Sequence, residues 1–220
     1  MSTITQRVKR ILSKIPSGVK VVAAAKTREI NEVKEAMDAG INLIGENYLQ
    51  ESTAMIEGLP GRAEWHFIGH AQKNKVRHIV PIFDMIETVD SEKLARIIDT
   101  QAKNHGKIMP ILIEINIAKE EQKAGVIPEE AEALITRISE MENIEIQGLM
   151  TMGPLLEDPA DLRPYFKETR SLFDQLKNAG HNMRHLSMGM SDSYMTAIEE
   201  GATMVRIGTV IFGPRKCTRV

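Results

Sequence analysis

Cysteine is nearly absent: Cys217 is the only one in 220 residues. A lone thiol excludes a disulfide framework and any cysteine-built metal centre, and it fits a reducing, cytoplasmic compartment. Aromatic residues are scarce, at 4% of the chain, which removes the stacking platforms that single-stranded nucleic acid needs. Neither sign of charge dominates. A formal net charge of −2 gives no field to gather nucleic acid or an anionic membrane surface. No apolar run approaches the length of a membrane span, and Arg7, Lys9 and Arg10 are followed by no apolar signal core. Acidic residues are missing until Glu29, as in a mitochondrial transit peptide. The same stretch also reads as a built-in first helix, with Val8, Ile11, Leu12 and Ile15 on one face. The first strand follows so directly that we take it as that helix.

What is present is alternation. The run Val21-Val22-Ala23-Ala24-Ala25-Lys26-Thr27 is small, β-branched and apolar, and it ends on a lysine. It reads as a parallel strand buried on both faces, over 20–27. Further strands are expected at 43–47, 64–70, 85–90, 109–116, 144–152, 185–190 and 203–209. Helices are expected between them, at 29–39, 48–57, 72–79, 92–105, from Pro128, over 160–179 with a kink near Pro164, and at 192–200. Residues 210–213 close the series. Strand alternating with helix eight times predicts a (β/α)8 TIM barrel with an extra N-terminal helix, as a single domain over residues 1–220. A doubly wound open sheet is the alternative, but no G-x-G-x-x-G follows the first strand.

In such a barrel the carboxyl ends of the strands converge on one site. Those ends carry Lys26, Asn47, His70, Asp90, Asn116, Met150, the stretch Ser187 to Ser191, and Arg206 with Gly208 and Thr209. An amine at a dry rim has a depressed pKa and attacks aldehydes; an ordinary solvated lysine opening a loop is the other reading of Lys26. Met188-Gly189-Met190-Ser191-Asp192 passes from strand directly into helix, a junction that offers N–H groups and a hydroxyl to phosphate. Gly208-Thr209 does the same after the eighth strand, where barrels often hold phosphate. Taken singly, Ser191 reads as a helix cap and Gly208 as packing. An amine and a phosphate site across the barrel suit an aldehyde-bearing phosphate cofactor, and pyridoxal 5'-phosphate (PLP) is one. Arg206 shares the face of Gly208 and either donates to the pyridine nitrogen or pairs with a carboxylate such as Glu46 or Asp192.

Six segments carry a resemblance over nearly the whole chain. They are Ala24-Ala25-Lys26-Thr27, Gly45-Glu46-Asn47-Tyr48-Leu49-Gln50-Glu51, the stretch from Trp65-His66-Phe67 to Lys75, Gly148-Leu149-Met150-Thr151-Met152, Leu186 to Asp192, and Val205-Arg206-Ile207-Gly208-Thr209. In this order they resemble the PLP homeostasis protein family, of the YggS and PROSC type. Tyr48 and Ala71 depart from the family's usual arginine and leucine, both just beyond a motif core. The resemblance implies a barrel like the N-terminal domain of alanine racemase and PLP joined to Lys26 as a Schiff base. It also implies phosphate contacts from Ser191, Gly208 and Thr209, with Arg206 near the pyridine nitrogen. The expected cofactor-binding set is Lys26, Asn47, His70, Met150, Ser187, Ser191, Arg206, Gly208 and Thr209, with no metal.

Two functions fit such a site. One is a non-catalytic carrier that buffers PLP, supports vitamin B6 homeostasis and hands the cofactor to apo PLP-dependent enzymes. The other is a racemase-like PLP enzyme. Racemisation needs a second acid/base opposite the lysine, which alanine racemase draws from a further β domain. No segment after the eighth strand is long enough to be that domain, so the expectation is a monomeric carrier. Tyr48, Tyr165 and Tyr194 all read as helical, with Tyr194 the one near the site. Arg206 points the same way, because a guanidinium keeps its proton and leaves the ring a weak electron sink. His66 is expected as a hydrogen-bonded core residue and His70 as the histidine near the mouth. Lys119 and Lys123, on the loop after strand five, read either as an exit route for PLP or as lysines paired with Glu120 and Glu121.

Overall fold

The structure, a computed structural model, describes residues 2–214; Cys217 lies outside them. Helix α1 (Ile4–Leu12) opens on a capping box, in which the Thr3 hydroxyl accepts from the Gln6 N–H and the Gln6 side chain accepts from the Thr3 N–H. Ile4, Val8 and Ile11 are buried, and Leu12 and Ile15 pack against the same core. The expected amphipathic face is therefore built into the protein.

Eight strands follow: β1 (Lys20–Ala24), β2 (Leu43–Glu46), β3 (Glu64–Phe67), β4 (Met85–Val89), β5 (Met109–Ile115), β6 (Ile144–Thr151), β7 (His185–Ser187) and β8 (Met204–Ile207). They pair in chain order, all parallel, and β8 pairs back onto β1 to close a barrel. Between them run α2 (Ile30–Asp38), α3 (Leu49–Gly58), α4 (Val76–Ile79), α5 (Glu92–Asn104), α6 (Pro128–Ile138), α7 (Arg163–Asn178) and α8 (Tyr194–Glu199), and α9 (Thr209–Phe212) follows β8. This is the expected TIM barrel. No helix among the described residues is long and apolar enough to cross a membrane.

Strand alternation sorts the side chains into two layers. Val21, Ala23, Ile44, Trp65, Phe67, Ile111, Ile113, Val205 and Ile207 belong to the main core, between sheet and helices. Val22, Leu43, Ile68 and Met204 form a separate cluster inside the barrel, and Met85, Leu112 and Met150 form another. Each strand is buried on both faces, so it reads as an apolar run.

Most differences from expectation lie at the carboxyl ends. β1 stops at Ala24, β3 at Phe67 and β7 at Ser187, each three residues before the expected end. There the backbone leaves the ladder to form the mouth. The expected 72–79 helix is a 3-10 turn, Lys73–Lys75, followed by the single turn of α4. The expected 160–179 helix is a 3-10 turn, Pro159–Leu162, then α7; Pro164 lies in the first turn of α7, where it removes no helical hydrogen bond, so there is no kink to explain.

Candidate functional site

Lys26 lies in a turn just beyond β1 and is half-buried. The next residue, Thr27, has φ 64, a left-handed backbone that a β-branched residue adopts only under constraint. Two bonds hold it: the Thr27 N–H donates to Glu51 Oε2 of α3 at 2.8 Å, and the Arg28 N–H donates to the Ala25 carbonyl at 2.9 Å. The turn that carries Lys26 is thus fixed from α3.

Because β8 is hydrogen-bonded to β1, with Ala23 opposite Ile207, the junction after β8 lies beside Lys26 and not across the barrel as expected. Gly208 N–H donates to Ser191 Oγ at 3.1 Å. Ser191 therefore does not cap a helix; it joins the loop after β7 to the end of β8. Gly189 makes the loop possible: its φ is 89, and a Cβ there would stand 2.5 Å from the Ala197 Cβ. Thr209 opens α9 and lines an outer groove with Tyr194 and residues of α1. Tyr48 is exposed and precedes α3 in extended conformation, so it is not helical, whereas Tyr165 and Tyr194 are.

Arg206 is buried inside the barrel, and its partner is neither Glu46 nor Asp192. Nη1 donates to Ser187 Oγ at 2.6 Å, Nη2 donates to the Thr151 carbonyl at 2.8 Å, and the nearest carboxylate is Glu87 at 3.9 Å. Arg206 lies inside, on the Gly208 face, while Glu46 is one residue out of phase with the inward Gly45. The Ser187 hydroxyl donates to Glu87 Oε2 at 2.7 Å, and Glu87 Oε1 lies 2.7 Å from His66 Nδ1. His66 Nε2 reaches Glu64 at the foot of the barrel at 3.1 Å. A continuous polar column therefore runs from the floor to Arg206.

The column holds its charges by mutual support. Burial alone would lower the His66 imidazole; the hydrogen bonds and charges of Glu64 and Glu87 outweigh it and push it up to about 9. Burial alone would raise Glu87; the hydrogen bond and charge of His66, with Arg206 and Ser187, hold it below the usual carboxylate range. Burial pulls the Arg206 guanidinium down, and Glu87 and Glu114 oppose that. Elsewhere, burial and the Glu51 charge push Glu46 up to about 8, favouring its neutral carboxyl.

The other expected residues divide. Asn47 and His70 line a cavity at the mouth with Glu114, Asn116, Lys123 and Met152. His70 is exposed, beyond the end of β3. Met150 is fully buried, packed with Met85 and Leu112 below the mouth. Asn116 fixes the loop after β5: its Nδ2 donates to the Glu120 carbonyl at 2.9 Å and its Oδ1 accepts from the Glu120 N–H at 3.1 Å. On that loop Lys119 pairs with Glu129, and Lys123 pairs with Glu120 at 2.5 Å. Sequence reasoning missed Glu87 and Glu114. The available signal was a glutamate in the middle of an apolar strand, in Met85-Ile86-Glu87-Thr88-Val89 and Ile111-Leu112-Ile113-Glu114-Ile115.

The family model described as alanine racemase, N-terminal domain, matches residues 1–216. A pyridoxal phosphate homeostasis protein of Aquifex aeolicus is 39% identical over 221 residues, 98% of this chain and 97% of that one. The chain belongs to the pyridoxal phosphate homeostasis protein family. A second family member, from Pasteurella multocida, is 38% identical over 204 residues, 90% of this chain and 88% of that one. Among solved structures, PipY of Synechococcus elongatus with PLP bound superposes with a TM-score of 0.89 at 32% identity, covering 96% of this chain and 100% of that one. An alanine racemase of Clostridium difficile superposes with a TM-score of 0.82 at 16% identity. This chain covers 58% of that racemase, so the likeness to it is one of fold.

Proposed function

We propose that this protein is a non-catalytic PLP carrier, one barrel domain that buffers the cofactor in the cytoplasm as a monomer and releases it to apo PLP-dependent enzymes. The observation that carries the reading is the junction beside Lys26, where the Gly208 N–H and the Ser191 hydroxyl meet at 3.1 Å. An amide and a hydroxyl from two loops converge there, beside the turn that carries Lys26, with a buried guanidinium one pleat below. That donor set suits a phosphate-bearing aldehyde. The names of the full-length relatives and the PLP of PipY support the same reading.

When bound, PLP supplies an aldehyde for an amine and a phosphate dianion for hydrogen-bond donors. Lys26 offers the amine and is the proposed covalent anchor. Ser191, Gly208 and Thr209 are the proposed donors to the phosphate: the Gly208 N–H, which here donates to Ser191 Oγ, turns to the phosphate when it binds, and Thr209 offers its own N–H and hydroxyl from the start of α9. Asn47, His70, Met150 and Ser187 complete the proposed surround, Met150 and Ser187 as its floor. Arg206 spends two donors on Ser187 and Thr151, and a guanidinium has five. It donates without giving up its proton, so it withholds the electron sink that amino-acid chemistry depends on. Close relatives named as homeostasis proteins favour a carrier over a racemase.

The test is borohydride reduction of the protein with PLP, followed by peptide mapping. Label is expected on the peptide holding Lys26, with the visible band lost in Lys26→Ala. Label confined to another lysine would refute the anchor. Steady conversion of L-alanine to its D-isomer would refute the carrier reading.

A further inference from the structure

The barrel mouth holds a carboxyl group with no part in the proposed PLP contacts, on the far wall of the cavity whose rim, Asn47 and His70, belongs to the proposed PLP surround. Glu114 sits on the inward face of β5, one pleat above Leu112, and only 4% of it is exposed. No donor among the described residues hydrogen-bonds to its side chain. It opens into a cavity of about 190 Å³, with Ile68 and Met152 as apolar walls and Asn47 and His70 at the rim. A buried carboxylate without a donor is costly to keep charged unless a cation meets it.

The surroundings favour a cation. Asp90, at the end of β4, adds negative charge to the position. Arg206 approaches from β8, but Ser187, Thr151 and Glu87 already engage it. Lys123 lines the cavity, yet it bonds to Glu120 and to the Gly153 carbonyl at 3.3 Å. Burial, with the charge of Asp90, pushes Glu114 up to about 7 while Arg206 opposes it. A neutralising partner therefore has little to overcome at physiological pH.

We propose that this cavity is a subsite for a primary alkylammonium group, with Glu114 as its counter-charge and Ile68 and Met152 against its methylenes. β5 stands four strands from β1 in a ring of eight, so the ammonium enters from the wall opposite Lys26. The carboxylate can take one proton from R–NH3+, leaving a neutral carboxyl and an amine with a free lone pair. The meaning of this placement rests on the carrier reading: it is where an amine that is to receive the cofactor waits. The amine is either a lysine side chain of a recipient protein or a free amino acid.

The experiment titrates the full chain with n-butylammonium chloride and, separately, with L-alanine, following the amide shifts of Asn116 and Met152. Saturable binding is expected in the wild type, weakened at least about tenfold in Glu114→Gln. Tighter binding of n-butylammonium supports the subsite with a lysine side chain as occupant; tighter binding of L-alanine supports it with a free amino acid. Equal binding to wild type and variant overturns the proposal. Should the variant fail to fold, the wild type decides: binding is expected to weaken at least about tenfold from pH 8 to pH 5, where the carboxyl is protonated, and equal binding overturns the proposal. Borohydride trapping of PLP in parallel separates the two readings. Ammonium binding without trapping at Lys26 sinks the carrier and keeps the subsite, whereas trapping with binding indifferent to Glu114 sinks the subsite alone.

Discussion

Glu87→Gln tests the polar column most directly. The amide keeps the shape of the side chain and can still reach His66 and Ser187, so the variant isolates the charge. Glu87 is fully buried, 2.7 Å from His66 Nδ1 and 3.9 Å from the Arg206 guanidinium. Removing one member of a buried ionic group leaves the others uncompensated and costs about 3–5 kcal/mol. For a chain of this size each kcal/mol moves Tm by about 2–4 °C, so Tm should fall by about 6–20 °C. A second signature lies in pH. The folded His66 is raised from 6.5 to about 9, which at about 1.4 kcal/mol per unit is worth ~3 kcal/mol. A raised base stabilises fully below its unfolded value, and that contribution is lost as pH climbs through about 9. Glu46 and Glu114 are acids raised by burial to about 8 and about 7. They add their own loss as pH rises from 4.5 through those values, so the quantity to read is the difference between wild-type and variant curves. Urea unfolding from pH 6 to pH 10 measures it. The variant should lie below the wild type at neutral pH and converge on it above pH 9. A variant within about 1 kcal/mol of wild type at pH 7, with a parallel alkaline limb, would refute the column as a charge-coupled unit.

Three further outcomes follow from named contacts. Ser191→Ala removes the hydroxyl that Gly208 bonds to, and it should weaken PLP by about 1.5–3 kcal/mol while changing pyridoxal far less; equal loss for both ligands, by fluorescence titration, would contradict the phosphate placement. Gly148 has φ 150 and a Cβ there would stand 1.8 Å from the His185 carbonyl oxygen, so Gly148→Ala should lose about 2 kcal/mol or more in urea unfolding. Lys123→Ala should leave trapping at Lys26 intact and slow transfer of PLP to an added apo-enzyme; transfer at the wild-type rate would remove that lysine from the release route.

The barrel was legible because its strands are buried on both faces. Runs such as Val21-Val22-Ala23 and Ile111-Leu112-Ile113 cannot be amphipathic surface strands, and glycines and prolines punctuate the intervals. The carboxyl ends were less legible. Lys26 lies within its expected strand, but the Thr27 N–H donating to Glu51 and the left-handed Thr27 turn the chain out of the ladder there; β3 likewise stops at Phe67, short of His70. The site was legible as a set of loop ends and not as a network. Ser191 and Gly208 are 17 residues apart and Ser187 and Glu87 are 100 apart, separations that no local pattern encodes. Arg206 shows the limit clearly. Its burial needed a carboxylate; a glutamate inside an apolar run marks both Glu87 and Glu114 as inward, but which of them lies against Arg206 is set by strand order and register, not by local pattern.

The seam between β1 and β8 has a consequence for how the chain reaches this state. Arg7 donates from α1 to the carbonyls of Ile211 and Phe212 at 2.7 and 3.1 Å, across 204 and 205 residues. Neither β1 nor β8 has its full set of neighbours until residues 204–207 are made. During synthesis β1 therefore waits as an open edge, carrying the apolar Val21-Val22-Ala23 run and no partner on that side. Such an edge is what another unfinished chain pairs with. Closure of β8 onto β1 removes that edge, so it is the step that ends this exposure.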